Sequence, residues 1–452
     1  MGFHDDDPAT QAFLRHLHHP KVLARDLKRR SYEALEWIAM GIAVGCSVGV
    51  AMVVFQQTLL WTLAFWKPYL EHPLGMILIP GLGLFLSGLV IGFLPRLFGD
   101  STNAIIESIH KEHAIVHLLV FPVKLVASVC TIGFWGSAGR EGPAIQISGA
   151  LASNLGRLLK FKTIPLRYVV ISGISAAFGS IFKAPMAGVV FGCEILYLRN
   201  MEYRPLITCM FSSLFSYLTY TGVFRTRILF TVPRTLLDYS FQPSHSFYFL
   251  LFGFLVGISA SLYIMVLRSI EVRFALIRAP LYLKTALGGL LTGMVGLGVS
   301  RIVGKEISIL GMGIQDVIRI FSDVRMLGVY VLGVLLVGKV AATAFTIGSG
   351  ASGGLVMPTF FVGTALGGIV GHVFGGDVLL FAIVGCLAFF ASAAHAPLAM
   401  MFFAAETFNF NYILPVAISG FIGSWIAGSV SLYSVVAAQG QEVGEGSTPT
   451  QS

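Results

Sequence analysis

The sequence has few charged residues and few cysteines. Only 12% of its 452 residues are Asp, Glu, Lys or Arg, about half the share found in soluble globular proteins. With 56% hydrophobic residues and a mean hydropathy of +0.82, this composition excludes an ordinary soluble domain and predicts a chain that lies mostly in lipid. The five cysteines form no CxxC pair and all lie in apolar stretches, which argues against a metal site or a disulfide framework.

Basic residues outnumber acidic residues, which leaves a formal net charge of +8. In a soluble protein this excess would suggest nucleic acid as a partner. Here the basic residues lie mostly between apolar blocks, as at 25–30 (RDLKRR) and 157–167 (RLLKFKTIPLR). The pattern follows the positive-inside rule, so we expect a cytoplasmic N-terminus and no nucleic-acid partner. The polar N-terminal segment has no apolar core, so we expect no cleaved signal peptide.

Apolar blocks long enough to span a bilayer recur along the whole chain. They lie at 34–64, 73–98, 114–135, 143–159, 167–198, 205–223, 246–267, 281–300, 326–347, 355–374, 377–405 and 412–437. The two longest blocks each have room for two short or tilted helices. The sequence therefore predicts an all-α polytopic membrane protein with about ten to fourteen helical pieces.

The chain carries an internal repeat. KLVASVCTIGFWGSAGREGP begins at Lys124, and KVAATAFTIGSGASGGLVMP begins at Lys339. Lysine, threonine, glycine and proline positions agree at this constant shift of 215. Further along, residues 183–194 match residues 395–406, and both copies read A-P-[ML]-A-x-x-x-F-x-x-E. Paired repeats of this kind are typical of transporters and channels, and the match leaves parallel and inverted arrangements open.

The repeat predicts how the chain is divided. We expect a cytoplasmic head at 1–33, a first membrane repeat at 34–223, a linker at 224–245, and a second membrane repeat at 246–437. The tail at 438–452 has the polar composition of a disordered segment.

Both copies of the repeat contain a glycine-dense run that ends in a proline, at 133–143 (GFWGSAGREGP) and 348–358 (GSGASGGLVMP). Each glycine costs about 1 kcal/mol in a helix interior, whereas proline suits the first turn of a new helix. The runs therefore predict two helices that begin inside the membrane, where only a protected cavity tolerates irregular backbone. Two such helix starts would bind an anion with their free amides. The alternative is that the glycines serve close helix packing.

An acidic residue, Glu141, lies at the start of the first of these helices. An ionised carboxylate there can occupy an anion site as a tethered ligand and leave when it is protonated. We therefore interpret Glu141 as a gate, a proton carrier or both. The alternative is a static carboxylate that stabilises the helix dipole. We expect Arg140 to turn away and to pair with backbone or a carboxylate.

Several motifs resemble those of the CLC family of chloride channels and proton-coupled chloride antiporters. They are GREGP at 139–143, PVK at 122–124, the glycine run at 348–358 and SLYS at 431–434. The resemblance covers about residues 34–436. It implies a homodimer in which each subunit has its own pore, built from two inverted halves of tilted and broken helices.

The resemblance also implies the roles of individual residues. Glu141 corresponds to the external gating glutamate. Backbone amides line two anion sites, and a tyrosine hydroxyl donates to the central anion. The residues implied are Arg140, Glu141 and Gly142 for the outer site, and Leu355, Val356 and Tyr433 for the central site.

The chain departs from the family pattern at the first serine of the anion site. The family usually has GSGIP there, and counting back without gaps from 122–124 places Asp100 at the serine position. A carboxylate about 4 Å from an anion costs roughly 4 kcal/mol at an effective dielectric of about 20. We therefore expect that Ser101 or Thr102 supplies the hydroxyl after a small shift. A protonated Asp100, or one that points away, stays open.

Two further departures concern coupling and the width of the pore. Antiporters of the family usually carry an inner proton-accepting glutamate, and Ile195 occupies that position here. Its neighbour Glu194 matches Glu406 in the repeat, so both are interpreted as structural carboxylates at helix ends. Val356 replaces a phenylalanine that is common in the family, which should loosen the central constriction.

The sequence thus predicts transport of chloride or a similar small anion, gated by Glu141, either channel-like or weakly coupled to protons. A fully coupled antiporter is the alternative. An intramembrane enzyme is disfavoured because His372 and His395 have no evident nucleophile partner, and a cation transporter would rest on Asp100 alone. We expect no cofactor, no bound metal, no nucleotide-binding regulatory domain after the membrane part, and a place in a bacterial or archaeal inner (plasma) membrane.

Overall fold

The structure is a computed structural model that describes residues 20–93, 101–160, 163–198, 200–225 and 245–433, with residues 229, 230, 239 and 242. Within these residues the chain forms sixteen α-helices and no strand. Eight of these helices are long and apolar enough to cross a membrane. The prediction of an all-α polytopic membrane protein is therefore confirmed.

The helices fall into two series of eight. The first series is α1 (Pro20–Trp66), α2 (Pro73–Phe93), α3 (Ser101–Lys111), α4 (Val120–Gly133), α5 (Glu141–Leu159), α6 (Leu166–Ile181), α7 (Pro185–Glu194) and α8 (Leu206–Phe224). The second series is α9 (Ser246–Leu276), α10 (Leu281–Val303), α11 (Ile314–Asp323), α12 (Val329–Gly348), α13 (Val356–Phe374), α14 (Val378–Ala394), α15 (Pro397–Thr407) and α16 (Ile413–Ala427). Equivalent helices pack alike: α1 on α8 as α9 on α16, and α5 on α6 as α13 on α14. The fold is the predicted pair of inverted-repeat halves.

The number of helices exceeds the predicted range because some blocks are divided. Blocks 167–198 and 377–405 each hold two helices, since Lys183 and His395 take left-handed backbone conformations with φ of 56° and 54°. Each is followed two residues later by a proline that opens the next helix. Block 34–64, which also has room for two helices, instead lies within the single helix α1 of 47 residues.

Two helices were not predicted from the sequence. Helices α3 and α11 have 11 and 10 residues, which is too short to span a bilayer. The predicted domain boundaries stay a prediction. Helix α1 begins at Pro20, within the predicted head, while Asp100, most of the linker at 224–245 and the whole tail at 438–452 lie outside the described residues.

Close packing of glycines joins the two halves along α2 and α10. A side chain on Gly289 would overlap the backbone of Pro80, and one on Gly293 would overlap the backbone of Met76. Only glycine lets the two helix backbones approach this closely, which is the small-residue packing of membrane helices. Gly289 and Gly293 therefore serve close helix packing. They lie outside the two glycine runs, so their role does not decide the alternative for those runs.

The centre of the molecule is formed by the helices that follow the glycine runs and their neighbours. Helices α5 and α13 are buried over their first ten residues, and α6 and α14 are buried along nearly their whole length. Phenylalanine rings pack beside them, for example Phe178 on Phe182 with centroids 4.2 Å apart. The starts of α5 and α13 thus lie in the protein core, where irregular backbone is shielded from lipid.

Candidate anion-binding site

The two glycine runs meet backbone to backbone. The amide of Gly139 donates to the carbonyl of Gly354, and the amide of Gly354 donates to the carbonyl of Gly139, both at 2.7 Å. The pair forms an isolated antiparallel bridge. Helix α5 begins two residues after Gly139, and α13 begins two residues after Gly354. The bridge therefore brings together two helix starts that come from different halves.

Glycine is required at this bridge because the chains approach so closely. A side chain on Gly354 would lie 2.5 Å from the amide nitrogen of Gly142, and one on Gly139 would overlap the Glu141 carboxylate. Glycine at 139 and 354 is therefore required by the contact between the two runs, while Gly133 and Gly136 pack against Thr62 and Leu84 of neighbouring helices.

Glu141 is folded back over the bridge. Its side chain is buried, with 2% exposed, and Oε2 lies against Gly139. The amides of Glu141 itself and of Met357 face the carboxylate, yet neither oxygen has a hydrogen bond of ordinary geometry. Met357 belongs to the first turn of α13. The acid of the first half therefore lies at the helix start of the second half.

Arg140 turns away from the bridge. Its Nη1 donates to Oε1 of Gln56 on α1, and its Nη2 donates to the carbonyl of Ile181 at 3.1 Å. The side chain is buried, with 3% exposed. The guanidinium thus ties the first glycine run to α1 and to the end of α6.

A second buried cation, Lys339, lies near the acid. Its Nζ donates to the carbonyls of Ile309 at 2.9 Å and Gly311 at 3.2 Å and lies 5.3 Å from the ring centroid of Phe361. Lys339 and Arg140 are the charged side chains that act on Glu141. The sequence analysis gave Lys339 no role, although its match to Lys124 in the repeat was a signal.

Ser101 contacts both glycine runs. It is the first residue of α3, and its Oγ donates to the carbonyl of Gly353 at 3.1 Å. A side chain on Gly142 would lie 3.2 Å from Cβ of Ser101. Thr102, the other candidate for the hydroxyl, is also buried. The structure therefore places a serine hydroxyl at the bridge, while Asp100 lies outside the described residues.

A cavity of about 760 Å³ leads to the second glycine run. Its inner wall contains the run itself together with Ser101, Lys124, Leu355 and Leu432. Its outer wall contains Glu107 and the exposed Val272. The cavity thus connects the surface of the described structure with one side of the bridge. Val356 is buried next to Leu355.

Residues 431–433 lie beside this cavity. The amide of Leu432 donates to the carbonyl of Ala393 at 2.8 Å, and the amide of Tyr433 donates to Oγ of Ser431 at 3.1 Å. Arg268 donates to the carbonyl of Ser431 at 2.9 Å. Tyr433 itself is buried, with 6% exposed. Arg268 is a residue of the site that the sequence analysis missed.

Glu194 and Glu406 accept hydrogen bonds from a different pair of helix starts. The two oxygens of Glu194 accept the amides of Leu398 and Ala399 at 2.9 and 2.8 Å, at the start of α15. The two oxygens of Glu406 accept the amides of Met186 and Ala187, both at 2.9 Å, at the start of α7. Each carboxylate therefore caps the helix of the opposite half and is saturated by backbone.

A group of hydroxyls around Ser352 was also missed. The Oγ atoms of Ser352 and Ser128 lie 2.8 Å apart, and the amide of Ser352 faces Oγ of Ser87 at 3.4 Å. Thr131 donates to the same Ser87 oxygen at 2.8 Å. Ser87 and Ser128 both belong to the first half, so residues of the first half help to hold the second glycine run.

The equivalent group surrounds Ser137. Its amide donates to Oγ1 of Thr346 at 3.1 Å, and its Oγ lies 3.1 Å from Oγ1 of Thr343. Thr292 completes the group, 2.9 Å from Thr346. The repeat shift of 215 relates Ser137 to Ser352, Thr131 to Thr346 and Ser128 to Thr343. Hydroxyl residues at three repeat-equivalent positions were the signal that would have found both groups.

Comparisons with known proteins agree with this architecture. The family described as voltage gated chloride channel matches residues 82–428. A chloride/fluoride channel protein of Pseudomonas syringae pv. tomato is 28% identical over 407 residues, covering 88% of this chain and 85% of the relative. The H(+)/Cl(-) exchange transporter ClcA of Yersinia pestis is 27% identical over 446 residues, covering 92% and 90%.

A solved structure shares the fold. It is that of a CLC-type fluoride/proton antiporter, which superposes with a TM-score of 0.77 at 23% sequence identity, over 89% of this chain and 98% of that chain. The family match spans most of the helices that form the bridge, the cavity and the hydroxyl groups. The chain therefore belongs to the CLC family of voltage-gated chloride channels and transporters.

Proposed function

We propose that the protein carries chloride or a similar small anion across the membrane, through one pore in each subunit of a homodimer. The observation that carries this proposal is the meeting of the α5 and α13 starts at the bridge between Gly139 and Gly354. Helix starts offer free amides and a partial positive charge, and they bind anions without a full ion pair. An ion held in this way is held weakly enough to leave again.

Glu141 acts as the gate in this proposal. Its ionised carboxylate is a tethered anion that competes with the permeant ion for the two helix starts. Protonation removes the charge that holds the carboxylate there, so the side chain leaves and an anion takes its place. The lack of ordinary hydrogen bonds to either oxygen supports this, because a carboxylate that is not saturated is released at lower cost.

The cavity supplies one side of the permeation path. It leads from the surface to Ser101, Leu355 and the second glycine run. An anion at its inner end would meet the first amides of α13, beside Ser101, whose hydroxyl holds the carbonyl of Gly353. Tyr433, at the end of the segment that borders the cavity, would donate its hydroxyl to the same ion, as the family resemblance implies.

Coupling to protons is weak or absent in our main proposal. Ile195, at the position of the inner proton acceptor in the family's antiporters, is an apolar residue with 1% exposed. A fully coupled anion/proton exchanger is the second candidate. It is supported by the Yersinia pestis relative, which is named as an exchange transporter, and it would need another protonatable group on the inner side.

An intramembrane enzyme has no comparable support. His372 and His395 lie 2.9 and 3.1 Å from the backbone carbonyls of Val324 and Val430, so each holds a chain segment in place. We propose that the protein lies in the plasma membrane with its N-terminus in the cytoplasm. The exposed basic residues of the first turns of α1 support this orientation.

Flux measurements on purified protein in liposomes test the proposal. We expect chloride efflux from liposomes that contain the wild type, and efflux that persists in the Glu141→Ala variant. No anion flux in either protein would refute it. The reversal potential under a chloride gradient and a pH gradient then separates the two candidates. A value that follows the chloride gradient alone indicates a channel, and a constant offset set by pH indicates exchange.

A further inference from the structure

We propose that Ser352 and Ser137 are positioning residues with separate tasks at the anion site. Ser352 holds the second glycine run and thereby sets anion affinity and selectivity. Ser137 holds the first glycine run and thereby sets the response of the gate. The inference rests on the proposed anion transport and adds Ser352 and Ser137 to the residues that support its site.

The contacts of Ser352 define which hydroxyl donates. Oγ of Ser128 donates to the carbonyl of Lys124 at 2.7 Å, which uses its only proton. The 2.8 Å contact between the two serines is therefore a hydrogen bond from Ser352 to Ser128. Ser352 is buried, with 2% exposed, and it lies three residues before Leu355, whose amide region faces the anion in our proposal. Loss of this bond frees the segment that carries those amides.

The contacts of Ser137 point to the gate instead. Its Oγ donates to the carbonyl of Ile309 at 2.9 Å, and Nζ of Lys339 donates to the same carbonyl at 2.9 Å. Ser137 lies four residues before Glu141. Lys339 and Arg140 are both buried cations near Glu141. Loss of the Ser137 hydroxyl therefore disturbs the acid and one of its two cations together.

The two serines also differ in access. Ser352 and Gly353 form part of the wall of the 760 Å³ cavity, so an ion that arrives through the cavity meets the second run directly. Ser137 contacts Ile309 and Thr343, both in the second half. The two repeat-related serines thus support different segments. Ser352 supports the segment that faces the ion, and Ser137 supports the segment that carries Glu141.

The test compares two matched alanine variants of the full chain in liposomes. Ser352→Ala should lower chloride affinity about three- to tenfold, the effect of one buried hydrogen bond, and should change the chloride to nitrate flux ratio by a similar factor. Its pH profile should match the wild type. Ser137→Ala should keep the wild-type flux ratio and shift the pH profile. Equal changes of both readouts in the two variants would overturn the inference.

Two further variants separate positioning from folding. Ser128→Ala removes the acceptor of the Ser352 bond, so it should reproduce the Ser352→Ala flux ratio, and the double variant should add little. Ser352→Thr keeps a hydroxyl and should restore the wild-type ratio. The assigned hydrogen bond is contradicted if Ser128→Ala does not reproduce the altered flux ratio of Ser352→Ala. It is also contradicted if Ser352→Thr does not restore the wild-type flux ratio. Size-exclusion chromatography in detergent shows whether each variant is folded.

Chloride binding measured by calorimetry distinguishes this inference from the proposed function. Chloride binding that weakens in Ser352→Ala, without transport by any variant, would remove the transport proposal alone. Transport by the wild type with unchanged affinity and flux ratio in Ser352→Ala would remove the positioning inference alone.

Discussion

Two pairs of helix starts in this protein meet glutamate carboxylates, with different results. At α7 and α15, Glu406 and Glu194 each accept two backbone amides at 2.8 to 2.9 Å. At α5 and α13, neither oxygen of Glu141 has an ordinary hydrogen bond. In our proposal this difference separates two roles: a carboxylate held by backbone amides is a fixed cap, and a carboxylate without such bonds is a movable ligand.

Symmetry explains part of this contrast. At α7 and α15 both halves carry the acid, so each carboxylate caps the helix of the other half. At α5 and α13 only the first half carries it, because the repeat shift of 215 pairs Glu141 with Val356. One acid thus faces two positive helix starts. In our proposal, the absence of an acid at Val356 leaves room for an anion from solution at these helix starts.

The largest effect is expected from removing the charge of the movable acid. Wild-type flux should rise as pH falls, because protonation of Glu141 releases it from the helix starts. Glu141→Gln should transport at the high, acidic-pH rate throughout, which removes the pH dependence. Chloride efflux measured from neutral to acidic pH checks this.

The matched control for that prediction is Glu406→Gln, which changes a saturated cap and should keep the pH dependence. A Glu141→Gln protein whose flux still rises on acidification would show that another group is the gate. It would also show that the missing hydrogen bonds of Glu141 do not mark it as a movable ligand.

Gly139→Ala should displace the carboxylate without removing it. The added methyl group overlaps the Glu141 carboxylate, and a clash of about 1–3 kcal/mol corresponds to about five- to 150-fold weaker competition with the anion. We expect higher flux at neutral pH and unchanged flux at acidic pH. Gly92→Ala, at a helix glycine with nothing within 4 Å, is the control and should behave as the wild type.

The fixed caps should contribute to stability instead of gating. Glu194→Ala leaves the amides of Leu398 and Ala399 without acceptors, which should cost about 1–3 kcal/mol of folding free energy. Glu406→Ala should cost less, because its side chain is partly exposed. Thermal unfolding in detergent measures both. If Glu194→Ala or Glu406→Ala changes the pH dependence of flux strongly and leaves stability unchanged, that carboxylate takes part in gating and is not a structural cap.

The smallest effect is expected at Ser101. Ser101→Ala removes one hydrogen bond to the carbonyl of Gly353, worth about 1 kcal/mol, so chloride affinity should fall by about fivefold. Ser269→Ala removes an exposed hydroxyl that binds its own helix and should leave affinity unchanged. Equal affinities in these two variants would show that the Ser101 hydroxyl does not support the anion.

Much of the fold could be predicted from the sequence because lipid imposes a strong constraint. A segment in hydrocarbon must satisfy its own backbone, so long apolar blocks indicate helices directly. The short helices α3 and α11 could not be found, since they are supported by contacts with other helices and have no spanning length of their own. The length of a block also leaves its division open. Blocks 167–198 and 34–64 each have room for two helices, and the structure divides only the first of them.

The candidate site was predictable where its chemistry is local. The glycines, the prolines and Glu141 all lie within two short runs, so their pattern alone predicted two helix starts and an acid. The roles predicted for individual residues stay predictions. Gln56, Ile181 and Lys339 come from distant parts of the chain, and no spacing in the sequence relates them to Glu141.

The sequence by itself thus determined that the chain is a helical membrane protein with a twofold repeat and two broken helices. These properties depend on composition and on short-range backbone chemistry. Only the tertiary structure decided that the two runs pair at Gly139 and Gly354, that Arg140 turns towards Gln56, and that each half clamps the glycine run of the other. Contacts between residues that are distant in the sequence, such as Arg140 with Gln56 or Gly139 with Gly354, depend on how the helices and halves pack, which local sequence does not encode.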